Sequence, residues 1–344
     1  MNNYYINGLF FTQRTTGVHR FARQLLAEID SICIKDEIKV VVPMGTTVPK
    51  YKNILVVEFG KQHGLLWEQI DFPRFLNKYR GVGVNLCNSQ PIIKPGIICI
   101  HDVAYKTHPE YFKTFHGKMS VAWHRLVYRL AAWSKYPILT VSYFSKYSII
   151  DAYGVIPSRI HVVSNGWQHI NEIASDEKVL KKYNLKEKTF YFTLGNINYN
   201  KNTRWVIEYA QKHPKDIFVL SGIRVKNSHV DVDTVKNVKW LGYLSDSEIV
   251  TLYKYCKAFI FPSIHEGFGI PPMEALSQGA KIIVANTTCL PEIYRGSAIY
   301  IDPYDTDINL EEKLNSEKLE KADDVLSRYS WRSSAKKLYN LLTR

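Results

Sequence analysis

The chain is 344 residues long, 46% hydrophobic and 22% charged, a balance that suits about two soluble globular domains and excludes a disordered or fibrous protein. No apolar run approaches the ~18 residues of a membrane span. The opening MNNYYINGLF lacks the basic start and long apolar core of a signal peptide, so a cytoplasmic chain is expected. The net charge of +13 is concentrated in front: residues 1–170 hold 20 Lys and Arg against 10 Asp and Glu, the remainder 25 against 22. A basic front half implies an anionic partner, either nucleic acid or an anionic membrane surface. No helix-turn-helix, zinc or RNA-binding signature accompanies it, which counts against nucleic acid. Cys33, Cys87, Cys99, Cys256 and Cys289 show no C-x-x-C spacing and read as reduced core residues.

In chain order, Tyr4–Asn7 reads as a first strand and residues 8–16 as a loop. Gly17 then opens a helix whose Val18, Phe21, Ala22, Leu25, Leu26 and Ile29 recur at helical spacing. Thr16 is placed to cap that helix, so Gly17 fits either a plain helix start or an anion-competent loop. Strands follow at residues 38–43, 54–59, 82–87 and 97–101, the last ending in His101-Asp102. A histidine at a strand end is commonly structural; the apolar strand before it and Tyr105 and His108 after it favour a site. A long helix is predicted over Phe115–Tyr136, with Lys118, Arg125, Arg129 and Lys135 interleaved with Trp123, Tyr128 and Trp133, a pattern shared by membrane-interface and half-buried helices. Strands at 138–142 and 159–164 complete a first domain of residues 1–168.

From Trp167 to about Leu185 the chain turns polar, as a linker does. A second alternation of strands and helices then runs through residues 190–195, 218–222, 238–241, 258–262, 281–285 and 298–301. Such alternation predicts a doubly wound parallel sheet, with ligands at the carboxyl ends of its strands. Residues 169–325 form this second domain, and 326–344 a closing amphipathic helix with Trp331, Ala335, Leu338 and Leu342 on one face.

The most informative stretch is AFIFPSIHEGFGIPPMEALS, residues 258–277. A buried strand leads into Glu266-Gly267-Phe268-Gly269, and Pro271-Pro272 starts a helix, where proline is tolerated. Because the prolines carry no N–H, the main-chain donors at this helix start are Gly267, Phe268, Gly269 and Ile270. They suit a phosphate or diphosphate. Two carboxylates beside an anion site, Glu266 in the loop and Glu274 expected in the first helical turn, imply a ligand that also carries hydroxyls. A diphosphate flanked by hydroxyl-rich groups is a nucleotide sugar.

Glu266 and Glu274, with seven residues between them, resemble the E-x7-E signature of retaining family-4 glycosyltransferases, and the likeness runs through nearly the whole chain. The resemblance implies an α/β GT-B fold: two Rossmann-like doubly wound parallel-sheet domains facing across a cleft, the first binding an acceptor and the second a nucleotide-diphosphate sugar. It implies Glu266 at the donor sugar, Glu274 at the ribose, and His101 near sugar and acceptor. Lys201 would lie on the diphosphate, and the loop around Gly17 over the phosphates. Tyr243 and Leu244 resemble the loop that meets the base. Many members place an arginine where this chain has Asn200; Arg204 or Arg224 is then the candidate substitute. The resemblance also implies a glycan or lipid-linked acceptor, an anionic membrane surface as partner, and no cofactor or metal. Three other readings stay open: a metal-dependent enzyme using Asp231-x-Asp233, a basic nucleic-acid-binding protein, and a non-catalytic nucleotide-sugar-binding protein.

Overall fold

The computed structural model describes residues 3–195, 199–222 and 235–343. The chain divides into two compact units, Met1–Gly166 with Ser330–Arg344, and Trp167–Tyr329.

The first unit is built on β1 (Asn3–Asn7), β2 (Lys39–Val42), β3 (Leu55–Glu58), β4 (Gly81–Asn85), β5 (Ile97–Cys99), β6 (Ile138–Thr140) and β7 (Ile160–Val162). They form one sheet in the order β3-β2-β1-β4-β5-β6-β7, every neighbour parallel. Short runs of Val and Ile buried on both faces suit central parallel strands; Val40, Val41, Ile97 and Ile98 are wholly buried. The helix Gly17–Asp30 covers the sheet with Phe21, Ala22, Leu25, Leu26 and Ile29. The closing helix Trp331–Thr343 packs on it, Trp331 meeting Phe21 edge-on at 6.3 Å, so the C-terminal segment belongs to this unit.

A helical run at residues 64–78 has no counterpart among the predicted elements. Its middle, Trp67–Asp71, is π-helical, and Trp67 stacks on Phe72 at 5.4 Å. A five-residue interval between packed aromatics breaks the 3.6-residue pattern by which helices are read. The predicted helix over 115–136 spans Phe115–Trp133, with Thr114 accepting from the Gly117 N–H as its cap. Of its aromatics, Tyr128 is buried and Trp123 packs against the core, while Trp133 is exposed. Arg125 donates to the carbonyls of Tyr105 and Lys106, so its charge is committed to the protein.

The second unit holds β8 (Phe190–Leu194), β9 (Ile217–Ser221), β10 (Val238–Trp240), β11 (Ala258–Phe261), β12 (Ile282–Ala285) and β13 (Ile299–Ile301). Their order is β10-β9-β8-β11-β12-β13, again all parallel. In both sheets the order in which strands are added therefore reverses once, beside β1 in the first and beside β8 in the second.

Candidate functional site

In the second sheet the chain steps outward from β8 to β9 and β10, then returns to the other side of β8 as β11. The carboxyl ends of β8 and β11 thus adjoin at the point where open parallel sheets leave a crevice for ligands. Two loops leave those ends, and they are laced together. Asn202 takes a left-handed conformation (φ 51°), and its Nδ2 donates to the carbonyls of Pro262 (3.1 Å) and Pro303 (2.7 Å). The Asn200 carbonyl accepts from the Ile264 N–H, with Ser263 Oγ also 2.8 Å away. Asn200 itself turns its amide toward the His265 carbonyl.

This lacing sets Lys201 Nζ 2.6 Å from Glu266 Oε1, with Ser263 Oγ 2.6 Å from the same oxygen. Lys201 also lies over the Phe261 ring, 5.4 Å from its centroid. The carboxylate is mostly buried and the ammonium somewhat less so. The loop beyond Glu266 is braced from behind. Gly269 sits at φ 78°, an angle that favours glycine, and a Cβ there would also press on the end of the Leu290 side chain, 2.8 Å from Cδ2. Its carbonyl accepts from the Tyr294 hydroxyl, which burial pushes far above its usual range and so keeps a donor. Phe268 is buried and meets Tyr329 edge-on at 5.2 Å.

The helix after Gly269 is Ile270–Ser277, with Pro271 and Pro272 in its first turn. Glu274 is the fifth helical residue, in the second turn rather than the first, because the helix starts at Ile270, ahead of the prolines. It faces inward: Oε1 lies 2.9 Å from His169 Nε2 and Oε2 3.2 Å from the Tyr253 hydroxyl. His169 comes from the stretch read as a polar linker, and Tyr253 from the helix Asp246–Tyr255. Neither partner was legible as a site residue; His169 lies 105 positions from Glu274, and no local spacing announces such a pair.

Of the other residues singled out, Tyr243 is exposed after Gly242 at the end of β10, while the Leu244 side chain is buried in the core. A buried Leu244 leaves only its main chain for a ligand. Ser245 caps the following helix by a reciprocal bond with Glu248. Arg204 is not brought to Lys201: it is exposed and its Nε pairs with Glu208 one helical turn on. Arg224, Asp231 and Asp233 lie outside the described residues. Among the described residues no group of three or more His, Cys, Asp or Glu is placed to hold a metal ion.

In the first unit, Gly17 begins its helix after Thr16, whose N–H donates to His19 Nδ1 at 3.2 Å. A Cβ at Gly17 would meet nothing within 4 Å, so packing does not demand glycine there. His101 is buried under the edge of Phe21 at 4.8 Å, with Nε2 2.9 Å from the Leu86 carbonyl. That contact puts the ring proton on Nε2 and leaves Nδ1 as acceptor. Burial, offset in part by the Leu86 carbonyl, lowers the pKa of the ring, which is held neutral.

Residues 175–336 match the family described as glycosyl transferases group 1. HepE of Anabaena, solved in complex with UDP and glucose, superposes over 100% of both chains with a TM-score of 0.70 at 16% identity. The chain has the GT-B glycosyltransferase fold. Among curated relatives of this GT-B chain, O-antigen chain mannosyltransferase B of Escherichia coli is 29% identical over 229 residues, 62% of this chain and 59% of that protein. O-antigen chain mannosyltransferase RfbU of Salmonella typhimurium is 24% identical over 247 residues, 70% of this chain and 65% of its own length. The GT-B chain thus spans about three-fifths of these relatives. The glycosyl transferases group 1 match contains Lys201, Glu266 and Glu274 together.

Proposed function

We propose that the protein is a retaining, metal-independent glycosyltransferase of family-4 type that moves a hexose from a nucleotide-diphosphate donor to a hydroxyl of a glycan or lipid-linked acceptor. Donor binding is assigned to residues 169–325 and acceptor binding to residues 1–168, with residues 326–344 returning as a closing helix. The observation that carries the reading is the Lys201–Glu266 pair, 2.6 Å apart at the switch point of the second sheet, with Glu274 in the helix that follows. An ammonium, a braced glycine loop and two carboxylates, carried by the loops and helix that leave the carboxyl ends of β8 and β11, suit a ligand that is anionic in its middle and hydroxylated at both ends.

In this reading the anomeric carbon passes through an oxocarbenium-like state as the diphosphate leaves. What speeds the step is stabilisation of charge growing on that diphosphate. Lys201 supplies a cation and the N–H groups of residues 267–270 supply dipoles. Glu266 accepts from the sugar and Glu274 from the ribose. His101 stands by the sugar and acceptor as a neutral imidazole, Tyr243 stacks on the base, and the loop before Gly17 closes over the phosphates. The leaving phosphate takes the acceptor's proton, so no separate base is assigned. Two relatives named as O-antigen chain mannosyltransferases support a mannose-like sugar and a surface-polysaccharide acceptor. A location on the inner face of the cell membrane goes with such an acceptor.

Calorimetry with free nucleotide diphosphates tests the division between the carboxylates. Glu274→Ala should weaken nucleotide binding by about ten- to a hundredfold, the worth of a charged hydrogen bond. Glu266→Ala should bind nearly as wild type yet transfer no sugar. Equal losses in both variants would refute the assignment.

A further inference from the structure

The first sheet has its own switch point, between β1 and β4, and a small cavity of about 120 Å³ opens there. Its polar wall is Asn7 and Asn85, the last residues of those two strands, with Gln13, Glu68 and Ser89; Leu9, Phe10 and Leu65 form an apolar lip. Glu68 is buried within the π-helical turn Trp67–Asp71, a distortion that recurs where a helix serves a site.

The hydrogen bonds of this wall can be counted. Glu68 Oε2 accepts from Ser89 Oγ (2.6 Å) and Gln69 Nε2 (3.2 Å), and Oε1 from Asn7 Nδ2 (3.0 Å). An ionised carboxylate has about four acceptor positions, so one remains on Oε1. Asn7 Nδ2 gives its other proton to Asn85 Oδ1, and Asn85 Nδ2 gives one of its two to the Ile97 carbonyl. One donor therefore remains on Asn85 beside one acceptor on Glu68. A hydroxyl, which donates and accepts at once, completes that pair; a phosphate dianion has no proton to donate to the carboxylate and is repelled by it. Among the described residues Glu68 is the only carboxylic acid or base of the lining; burial raises its pKa, and the hydrogen bonds from Ser89, Gln69 and Asn7 oppose that rise and favour the carboxylate. The nearby Arg23 is directed to the carbonyls of Phe10 and Phe11. At ~30 Å³ per water the cavity equals about four waters, room for the hydroxylated edge of a sugar ring but not for a nucleotide. The lip offers apolar surface to the C–H face of such a ring.

We propose that the Glu68–Asn85 cavity is a subsite for a neutral, hydroxyl-bearing sugar unit of the acceptor, bound by the uncharged edge of the ring and closed to phosphorylated or acidic sugars. This rests on the reading of the protein as a glycosyltransferase and adds which chemistry its acceptor presents to the first unit.

Saturation-transfer NMR on the full chain tests it with methyl α-mannopyranoside and mannose 6-phosphate as probes, each at millimolar concentration, and a nucleotide diphosphate as reference. The wild type should bind the glycoside and not the phosphate. Glu68→Gln should weaken glycoside binding at least about tenfold, the worth of a hydrogen bond to a charged acceptor. Leu65→Asp, at the exposed lip, should weaken it without disturbing the fold, which keeps the test decisive if Glu68→Gln misfolds. Nucleotide binding should stay as in the wild type for both. A wild type that binds nucleotide but no glycoside, or glycoside binding indifferent to both variants, overturns the subsite alone. Loss of nucleotide binding by the wild type as well overturns the glycosyltransferase reading with it.

Discussion

Replacing Lys201 with alanine removes a cation from the switch point and strands Glu266, and the two consequences are separately measurable. For catalysis, a charge acting on the departing diphosphate contributes chiefly in the transition state, so kcat should fall more than KM rises. A preorganised donor of this kind is worth ~10²–10³-fold. For stability, removing one partner of a fully buried ion pair costs about 3–5 kcal/mol. Here the ammonium is 28% exposed and Glu266 keeps Ser263 Oγ at 2.6 Å, so about 1–2 kcal/mol is the better expectation. Glu266→Ala should cost less, because a freed lysine can swing into water. The double variant should then be more stable than the sum of the singles, by about 1 kcal/mol of coupling. Thermal denaturation resolves this, since 1 kcal/mol moves the midpoint by about 2–4 °C in a domain of 150–250 residues. Strict additivity, together with a Lys201→Ala enzyme within a few-fold of wild type, would show that the pair is inert and another cation carries the diphosphate.

Two further outcomes concern protons and metals. Burial lowers the pKa of His101, and also of His19, His124 and His161 in the same unit. The unfolded chain therefore takes up protons first as pH falls through ~6.5, and stability declines below that value, by up to about 1.4 kcal/mol per pH unit for each group. His101→Gln, which keeps a donor for Leu86, should flatten this decline; an unchanged slope would mean that the His101 ring protonates freely in the folded chain. EDTA should leave transfer untouched, whereas a loss restored by added Mn²⁺ or Mg²⁺ would bring Asp231 and Asp233 into the mechanism.

Where side chains alone determine structure, the sequence was transparent. Runs such as Ala258–Phe261 and Ile282–Ala285 carry so many β-branched and aromatic residues that only buried strands accommodate them, and the boundaries differ by a residue or two. The glycine loop and its two carboxylates were equally plain, because glycine frees and proline fixes the backbone angles locally. What surrounds them was not. His169 and Tyr253 reach Glu274 across 105 and 21 positions, and Asn202 ties one loop to Pro262 and Pro303 through tertiary bonds alone. The Glu68 network was hidden for a second reason: it sits on a π-helical turn, whose spacing matches neither of the periods by which elements are recognised.

The helix Phe115–Trp133 gives the basic front half a specific geometry. At about 100° per residue, Phe115, Met119, Leu126 and Trp133 lie within about 40° of one another around the axis, and all four are exposed. Exposed Lys118 and Arg129 flank the stripe, Arg129 lying 6.0 Å from the Trp133 ring. No helix of the described residues is long and apolar enough to cross a bilayer, but a stripe of this kind suits the interface plane. Each cation near an anionic surface contributes about 1 kcal/mol, and insertion of an apolar side chain adds up to about 1.5–3 kcal/mol. Attachment should therefore be reversible and only partly salt-sensitive, because screening weakens the first contribution and leaves the second. Arg125 is a poor target, being bound to the carbonyls of Tyr105 and Lys106. Lys118→Glu with Arg129→Glu should release the protein from anionic vesicles without lowering its melting temperature, and Phe115→Ser with Trp133→Ser should do so even at low salt. A wild type that never co-sediments with anionic vesicles at low salt would remove the membrane from the account and leave a soluble glycan as the acceptor.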